Sequence, residues 1–338
     1  MGLYVPEEHG GLGLPRLDSS IILEQLATGC ISTTAYITIH NMVGWMIASF
    51  ATDSCREQWV PAMVAGDKLG SYCLTEPGSG SDAASLRTRA EREGDDYYLS
   101  GSKMFISGAG ATDVLVVMAR TGEPDSGAAG ISAFVVPADA EGISYGKKED
   151  KMGWNSQPTR LVSFDRVRVA AANRLGEEGE GFRFAMKALD GGRINIATCS
   201  LGAAQKALEL SRDYLGERKQ FGRELAQFQA LQFKLADMAT ELTAARTLVR
   251  LAAFKLDEGD AEASAHCAMA KRFATDMGFE VCNQALQLHG GYGYIREYPL
   301  ERLVRDTRVH QILEGTNEIM RLIIARRLLT PGMIESLA

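Results

Sequence analysis

From Phe228 to Ala252 the apolar residues Phe228, Leu231, Leu235, Met238, Leu242, Ala245, Val249 and Ala252 recur at alternating intervals of three and four. An α-helix turns once per 3.6 residues, so this spacing lays one apolar seam along a single helix face. A seam this long needs partner helices to cover it, which commits part of the chain to a helical bundle. Glu258-Gly259-Asp260 breaks the helix, and a further helix is expected over residues 261–288, stopped by Gly290-Gly291-Tyr292-Gly293. A last helix follows Gly315-Thr316-Asn317, with Ile319, Leu322, Ile323 and Leu329 on one face. With the helical pattern that resumes near residue 177, these predict a four-helix bundle over residues 176–338.

The preceding chain has two other textures. Residues 1–68 open on a Gly-rich stretch and then carry helical spacing over 17–27, 32–51 and 53–64, with Asp53 placed as an N-cap. In residues 69–175 the apolar runs shorten and alternate, giving strands at 97–99, 114–118, 131–136 and 161–164 with Gly, Asp, Pro and Ser between them. The gaps are too short for crossover helices, so an antiparallel barrel or sandwich is expected rather than a Rossmann sheet. The fold class is therefore α+β, mainly α: N-terminal helices (1–68), a middle antiparallel β domain (69–175) and a C-terminal four-helix bundle (176–338).

Composition narrows the function classes. Net charge is −7 and the Lys and Arg residues are dispersed, which does not suit a nucleic-acid partner. No apolar run approaches the roughly 20 residues that span a bilayer, so no membrane association is expected. The six cysteines are scattered with no CxxC, which points away from disulfides and zinc and towards a reducing compartment. The opening residues lack the basic start and apolar stretch of a signal peptide, and Pro6 stands where a myristoylation motif wants Ser or Thr. No metal is expected: none of the five histidines has Glu three residues before it, as a di-iron bundle needs. Gly78-Ser79-Gly80-Ser81-Asp82-Ala83 fits G-x-G-x-x-A but lacks a βαβ context, and there is no G-x-S-x-G elbow.

Three segments carry candidate chemistry. Tyr72-Cys73-Leu74-Thr75-Glu76-Pro77-Gly78-Ser79-Gly80-Ser81-Asp82 runs from a strand into a turn whose bare N–H groups suit a polar ring edge or a pyrophosphate, though alone it is equally a surface turn. The glycines of Gln287-Leu288-His289-Gly290-Gly291-Tyr292-Gly293 let a ligand approach the backbone, or simply cap a helix. In Ile312-Leu313-Glu314-Gly315-Thr316 a carboxylate follows two apolar residues. Apolar surroundings raise a carboxyl pKa and make a better base, but Glu314 alone also suits the start of a helix.

Taken together, the three segments resemble the acyl-CoA dehydrogenases. Residues 73–85 and 287–306 fit two family signatures, and Glu314-Gly315-Thr316 matches the catalytic-base segment. The resemblance runs from about Leu3 to Leu329, nearly the whole chain. It implies a flavoprotein in which Glu314 takes the α-proton of an acyl-CoA thioester and N5 of FAD takes hydride from the β-carbon. The Glu314 backbone N–H and a ribityl hydroxyl would serve the thioester oxygen. Leu74, Thr75, Phe105 and Ser107 match positions around the flavin ring. Phe105 and Ser107 depart mildly from the Trp and Thr common there. Arg218, Phe221 and Gln229 match positions that reach the FAD of a neighbouring subunit. Gln287, Gly290, Gly291, Thr316 and Glu318 complete the FAD set. Ser81 falls among the cofactor positions and, with Asp190, Arg193 and Arg326, among those that contact the CoA substrate.

Residues 26–30, 32–37, 153–160 and 191–197 are most similar to the isobutyryl-CoA-oxidising members that act in valine catabolism. This implies oxidation of isobutyryl-CoA to methacrylyl-CoA, with short-chain or 2-methylbutyryl-CoA dehydrogenation as the alternative. An electron-transferring flavoprotein is the implied acceptor and a homotetramer the implied assembly. The compartment would be a bacterial cytoplasm, or the mitochondrial matrix in a eukaryote. Several helices usually precede the segment that opens this chain, so residues 1–68 are expected to be the remnant of a longer N-terminal domain. A non-catalytic scaffold is the alternative of another class, against which Glu314, Thr75, Ser107 and Arg218 speak.

Overall fold

A computed structural model describes residues 1–330; the end of the 176–338 region lies outside the described residues. The elements in order are α1 (Arg16–Gly29), α2 (Ile31–Phe50), α3 (Asp53–Ala65), β1 (Gly70–Cys73), β2 (Arg89–Glu93), β3 (Asp96–Ser107), β4 (Val114–Arg120), β5 (Ile131–Pro137), β6 (Ile143–Tyr145), β7 (Thr159–Ala170), β8 (Arg174–Leu175), α4 (Gly181–Glu217), β9 (Lys219–Gln220), β10 (Arg223–Glu224), α5 (Gln229–Asp257), α6 (Ala263–His289), α7 (Leu300–Arg308) and α8 (Asn317–Leu328). They compact into two units: Met1–Leu14, Tyr36–Asp150 and Ser156–Leu189 form the first, and Pro15–Ala35, Lys151–Asn155 and the described residues from Asp190 onward the second. Among the described residues no helix is long and apolar enough to cross a membrane.

The first unit is built on one eight-stranded sheet of order β6-β7-β3-β2-β4-β5-β8, with β1 paired to β4. It is mixed rather than wholly antiparallel as expected, because β1 and β2 both meet β4 in parallel. The chain leaves β1 through the turn at 76–82 and returns along the same edge, so β4 meets two strands running its own way. Strand β4 is buried along its whole length, and its side chains alternate between two cores. Val114, Val116 and Met118 join Met42, Val43, Met46, Trp59, Val60 and Met63 of α2 and α3. Leu115, Val117 and Ala119 join Leu99, Val162, Phe164 and Val167 from the folded-over half of the sheet. Each such aliphatic side chain contributes about 1.5–3 kcal/mol on burial, so this central strand anchors both layers.

The second unit is helical. The seam on α5 faces the core at Met238, Leu242, Ala245, Val249 and Ala252, with Leu231 and Leu235 half-buried beside it. Helix α1 joins these C-terminal helices: Glu24 is almost fully buried and receives Arg246 at 2.8 Å and Arg250 at 2.6 Å from α5. The α1 N-terminus lacks a side-chain cap of its own, and the carboxylate of Asp257 accepts from the backbone N–H groups of Arg16 and Leu17 instead.

Two local expectations are corrected. Thr52, not Asp53, is the N-cap of α3, its hydroxyl accepting from Cys55 N–H; Asp53 is the first helical residue and pairs with Arg56. Helix α8 turns Asn317 and Met320 inward, while Leu322 is 43% and Leu329 83% exposed. Polar anchoring of Asn317, described below, sets the rotation of this helix in place of the apolar pattern.

Candidate active site

Glu314 sits between the short helical turn Val309–Gln311 and α8, in left-handed backbone at φ 56°, followed by Gly315 at φ 86°. A residue other than glycine is strained there and persists only where its surroundings hold it. The residue is half-buried, but its Oε2 is out of solvent and has no hydrogen-bond partner. A Cβ on Gly192 of α4 would lie 2.3 Å from that oxygen, so only glycine leaves room for the carboxylate. Burial pushes the Glu314 carboxyl up to about 7, against the opposing pull of Arg193 and then Lys271. A carboxyl at that value divides between acid and anion near neutral pH, which suits a proton acceptor.

The approach to Glu314 is fixed from behind. His310 is wholly buried; burial, with Lys271 adding to it, lowers its pKa to about 3, so the ring is neutral. The indole N–H of Trp154 donates to His310 Nε2 at 3.2 Å, which leaves the proton on Nδ1, where it donates to Ser200 Oγ at 2.7 Å. Ser200 Oγ in turn donates to the Ile196 carbonyl at 3.0 Å. Asp306 Oδ1 accepts from Trp154 N–H at 2.6 Å and so holds the loop that carries the indole.

Beyond Glu314, Thr316 caps α8 by accepting from Ile319 N–H. Asn317 Nδ2 donates to Thr275 Oγ1 at 3.0 Å and Asp276 Oδ1 at 2.7 Å of α6. Lys271 of α6 is fully buried and donates to the Gly315 carbonyl at 2.8 Å and Asn317 Oδ1 at 2.9 Å. Arg193, also buried, pairs with Asp190 at 2.6 Å, and Asp190 accepts from Ser264 Oγ as well. The second unit thus gathers Glu314, Asp190, Arg193 and Thr316, whereas Glu318 and Arg326 lie on exposed positions of α8.

A second cluster lines a pocket of about 650 Å³ that includes Tyr214, Arg218, Gln287, Gly290, Gly291 and Tyr292. Gly290 has φ 58°, ψ −136°, a conformation open essentially to glycine alone, and a Cβ on Gly290 or Gly291 would meet nothing within 4 Å. The Arg218 guanidinium lies 5.5 Å from the Tyr292 ring centroid. Phe221 and Gly222 form the left-handed turn of the β9–β10 hairpin, and Phe221 is 92% exposed. Gln229 begins α5 and is exposed.

The first unit holds the remaining candidates. At the register shift of β3, Phe105 has φ 59° and is turned out to 62% exposure. Ser107 is half-buried, its carbonyl accepting from Ser71 Oγ at 2.6 Å. Leu74 and Thr75 are held to β3: Met104 N–H donates to Thr75 O at 2.8 Å and Lys103 Nζ to Leu74 O at 3.0 Å. Lys103 also pairs with Glu76 at 2.8 Å, and that carboxylate accepts from the N–H groups of Arg87 and Thr88. Backbone bonds in both directions between Glu76 and Ser79 close the turn. Gly78 and Gly80 face open space and Ser81 is exposed.

Of the five non-glycine residues with positive φ among those described, three (Phe105, Phe221, Glu314) are positions the sequence had singled out. Strain at candidate sites, exposed glycine backbone and a cationic pocket fit a large flat cofactor with a pyrophosphate. The sequence reading missed Lys103 and Lys271. Each is a cation whose local sequence gives no sign that it is turned inward.

The chain matches the acyl-CoA dehydrogenase N-terminal domain over residues 1–67, the middle domain over 71–167 and the C-terminal domain over 179–329. It is 58% identical over 328 residues to the mitochondrial isobutyryl-CoA dehydrogenase of Bos taurus, covering 97% of this chain and 78% of that protein. The solved structure of butyryl-CoA dehydrogenase from Megasphaera elsdenii aligns with a TM-score of 0.94 at 41% identity, covering 97% of this chain and 86% of that one. A chain in the structure described as the electron transferring flavoprotein of Acidaminococcus fermentans aligns with a TM-score of 0.94 at 42% identity, with coverage of 97% and 86%.

Proposed function

Given that the chain belongs to the acyl-CoA dehydrogenase family, we propose that it oxidises the Cα–Cβ bond of a short branched acyl-CoA, isobutyryl-CoA foremost, to methacrylyl-CoA, with Glu314 as the base. The family is one of flavin-dependent oxidoreductases and its cofactor is FAD. When bound, FAD supplies the two-electron acceptor for the hydrogen that leaves the β-carbon.

The observation that carries the reading is the Glu314 carboxyl, whose Oε2 is out of solvent and without a hydrogen-bond partner. It takes the α-proton with no ion pair to break first. Among the described residues nothing accepts from the Glu314 backbone N–H, which leaves that donor for the thioester oxygen as enolate charge develops. Arg193, braced by Asp190, adds a buried positive charge that acts on the Glu314 carboxyl. Leu74, Thr75, Phe105 and Ser107 are the residues that would edge the flavin ring. Ser81, Arg218, Phe221, Gln229, Gln287, Gly290, Gly291, Thr316 and Glu318 would hold the rest of FAD. Ser81, Asp190, Arg193 and Arg326 would meet the CoA. The exposure of Phe221 is best met by a second copy of the chain in a homotetramer. Likeness to a chain of the Acidaminococcus structure supports an electron-transferring flavoprotein as acceptor.

The test is an anaerobic titration with isobutyryl-CoA, butyryl-CoA and 2-methylbutyryl-CoA, following the oxidised-flavin absorbance. Bleaching fastest with isobutyryl-CoA is expected, together with Glu314→Gln protein that keeps its yellow colour but does not bleach. Fast bleaching of that variant removes Glu314 from the role, and faster bleaching with another thioester reassigns the substrate.

A further inference from the structure

We propose that Lys271 is a positioning residue for Glu314: its ammonium fixes the carbonyl directly after the base and places a buried positive charge that favours the anionic form of the carboxyl. The proposal rests on Glu314 being the base.

Lys271 lies in the middle of α6 and is wholly out of solvent. A buried ammonium is costly and is ordinarily neutralised by a carboxylate. Here both acceptors are neutral, the Gly315 carbonyl at 2.8 Å and Asn317 Oδ1 at 2.9 Å. Among the described residues no carboxylate pairs with it within 4.0 Å. Of the groups that help to hold its charge, Glu314 comes first and Asp276 second, and Arg193 opposes it. Desolvation nevertheless brings Lys271 down to about 8. Asp276 is already engaged by Gln311, Asn317 and Arg321. The negative charge that best answers Lys271 is therefore the one that appears when Glu314 gives up its proton.

The hydrogen bonds do a second thing. Glu314 and Gly315 are consecutive left-handed residues, and a turn of that kind can re-aim its side chain by rotating the peptide that follows. Lys271 grips that peptide by its oxygen, and through Asn317 it also grips the first residue of α8. Neutral lysine still donates hydrogen bonds, so loss of its proton removes the charge and leaves the grip. The two contributions are thus separable.

The test compares holoenzymes of wild type, Lys271→Met, Lys271→Gln and Lys271→Arg by stopped-flow bleaching with isobutyryl-CoA across pH, alongside thermal melts across pH. In Lys271→Met the carboxyl limb of the rate profile should move up by about one pH unit or more, because a nearby positive charge has gone. Its kcat should fall at least tenfold with KM changed less than roughly threefold, since the loss falls on the step that uses the base. Lys271→Arg, which keeps charge and donors, should return the limb towards wild type. If the methionine variant does not fold, the glutamine variant makes the same limb measurement. An unmoved limb and unchanged kcat in either neutral variant overturn the proposal. So would a neutral substitution of Lys271 that shifts the pH dependence of melting equally in wild type and in the Glu314→Gln background, because Lys271 would then be uncoupled from the base. Bleaching of Glu314→Gln at the wild-type rate is the separate result that fails the underlying assignment.

Discussion

Lys103 in the first unit and Lys271 in the second are both fully buried, and each donates to a backbone carbonyl beside a candidate site residue. Lys103 reaches Leu74 O and is neutralised on the spot by Glu76 at 2.8 Å. Burial alone would raise the Glu76 carboxyl, yet Lys103 and the hydrogen bonds around it hold it below the usual carboxylate range. Lys271 reaches Gly315 O and is left without a carboxylate within ion-pairing distance. The closed pair makes a rigid strut under a loop. The open cation leaves an electrostatic demand that a catalytic carboxylate can answer. One architectural device, a buried lysine gripping a loop carbonyl, thus serves either as scaffold or as tuning, and the position of the counter-charge decides which.

The comparison breaks most visibly at Lys103. Removing one partner of a buried pair strands the other charge, so Lys103→Met or Glu76→Ala should each destabilise the protein by about 3–5 kcal/mol. The double variant Lys103→Met/Glu76→Gln should recover a large part of that loss, as denaturant unfolding would record. Additive losses in the double variant would mean the strut is a pair of independent contacts. Next in size is Gly192→Ala. A methyl group 2.3 Å from Glu314 Oε2 must push the carboxyl aside. Alanine suits a helix interior better than glycine, so stability should hold or rise slightly. The kcat should fall by about a hundredfold, the scale of a misplaced catalytic group.

Both lysines explain where the sequence was silent. Periodicity reads apolar side chains, and it placed the α5 seam, the three N-terminal helices and the main strands close to where they fold. It has no means of seeing a cation turned inward, because Lys103 and Lys271 look like solvated charges in any window. The same blindness misplaced the inner face of α8, where Asn317 is anchored by Thr275 and Asp276 and overrides the run of Ile319, Leu322 and Ile323. Candidate site positions came from motif likeness, which carries residue identity but no geometry. The left-handed backbone at Phe105, Phe221 and Glu314 was not legible in these residue types, which ordinarily avoid it.

A third experiment sharpens the contrast through pH. The Glu314 carboxyl is raised from 4.5 to about 7 by burial. A raised carboxyl favours the fold while it is protonated, so its contribution is whole below about 4.5 and is lost as pH rises through 7. Glu314→Gln cannot ionise. It should therefore match wild type in thermal melts near pH 4.5 and exceed it above pH 7, by roughly 2–3 kcal/mol. Glu76 behaves oppositely, since its lowered value makes the ionised form the stabilising one. Glu76→Gln should lose most at neutral pH and least in acid. Parallel curves for the two variants would erase the distinction between the closed pair and the open site.

The smallest expected effect concerns Phe105, where the first unit stores strain without a buried charge. At φ 59° a phenylalanine sits in backbone that glycine adopts freely, and its ring, 62% exposed, gains little from burial. Left-handed backbone in a residue of this kind costs on the order of 1–3 kcal/mol, while glycine loosens the unfolded chain by a comparable fraction of that. Phe105→Gly should therefore leave the melting midpoint of the FAD-free protein unchanged or slightly raised. If the outward ring is there to meet the flavin, the same variant should release FAD more readily, measured as free flavin after gel filtration. A fall in stability with FAD retention intact would reverse the inference: the ring would then be packing that the fold needs, and the strain at this bulge would have no part in holding the cofactor.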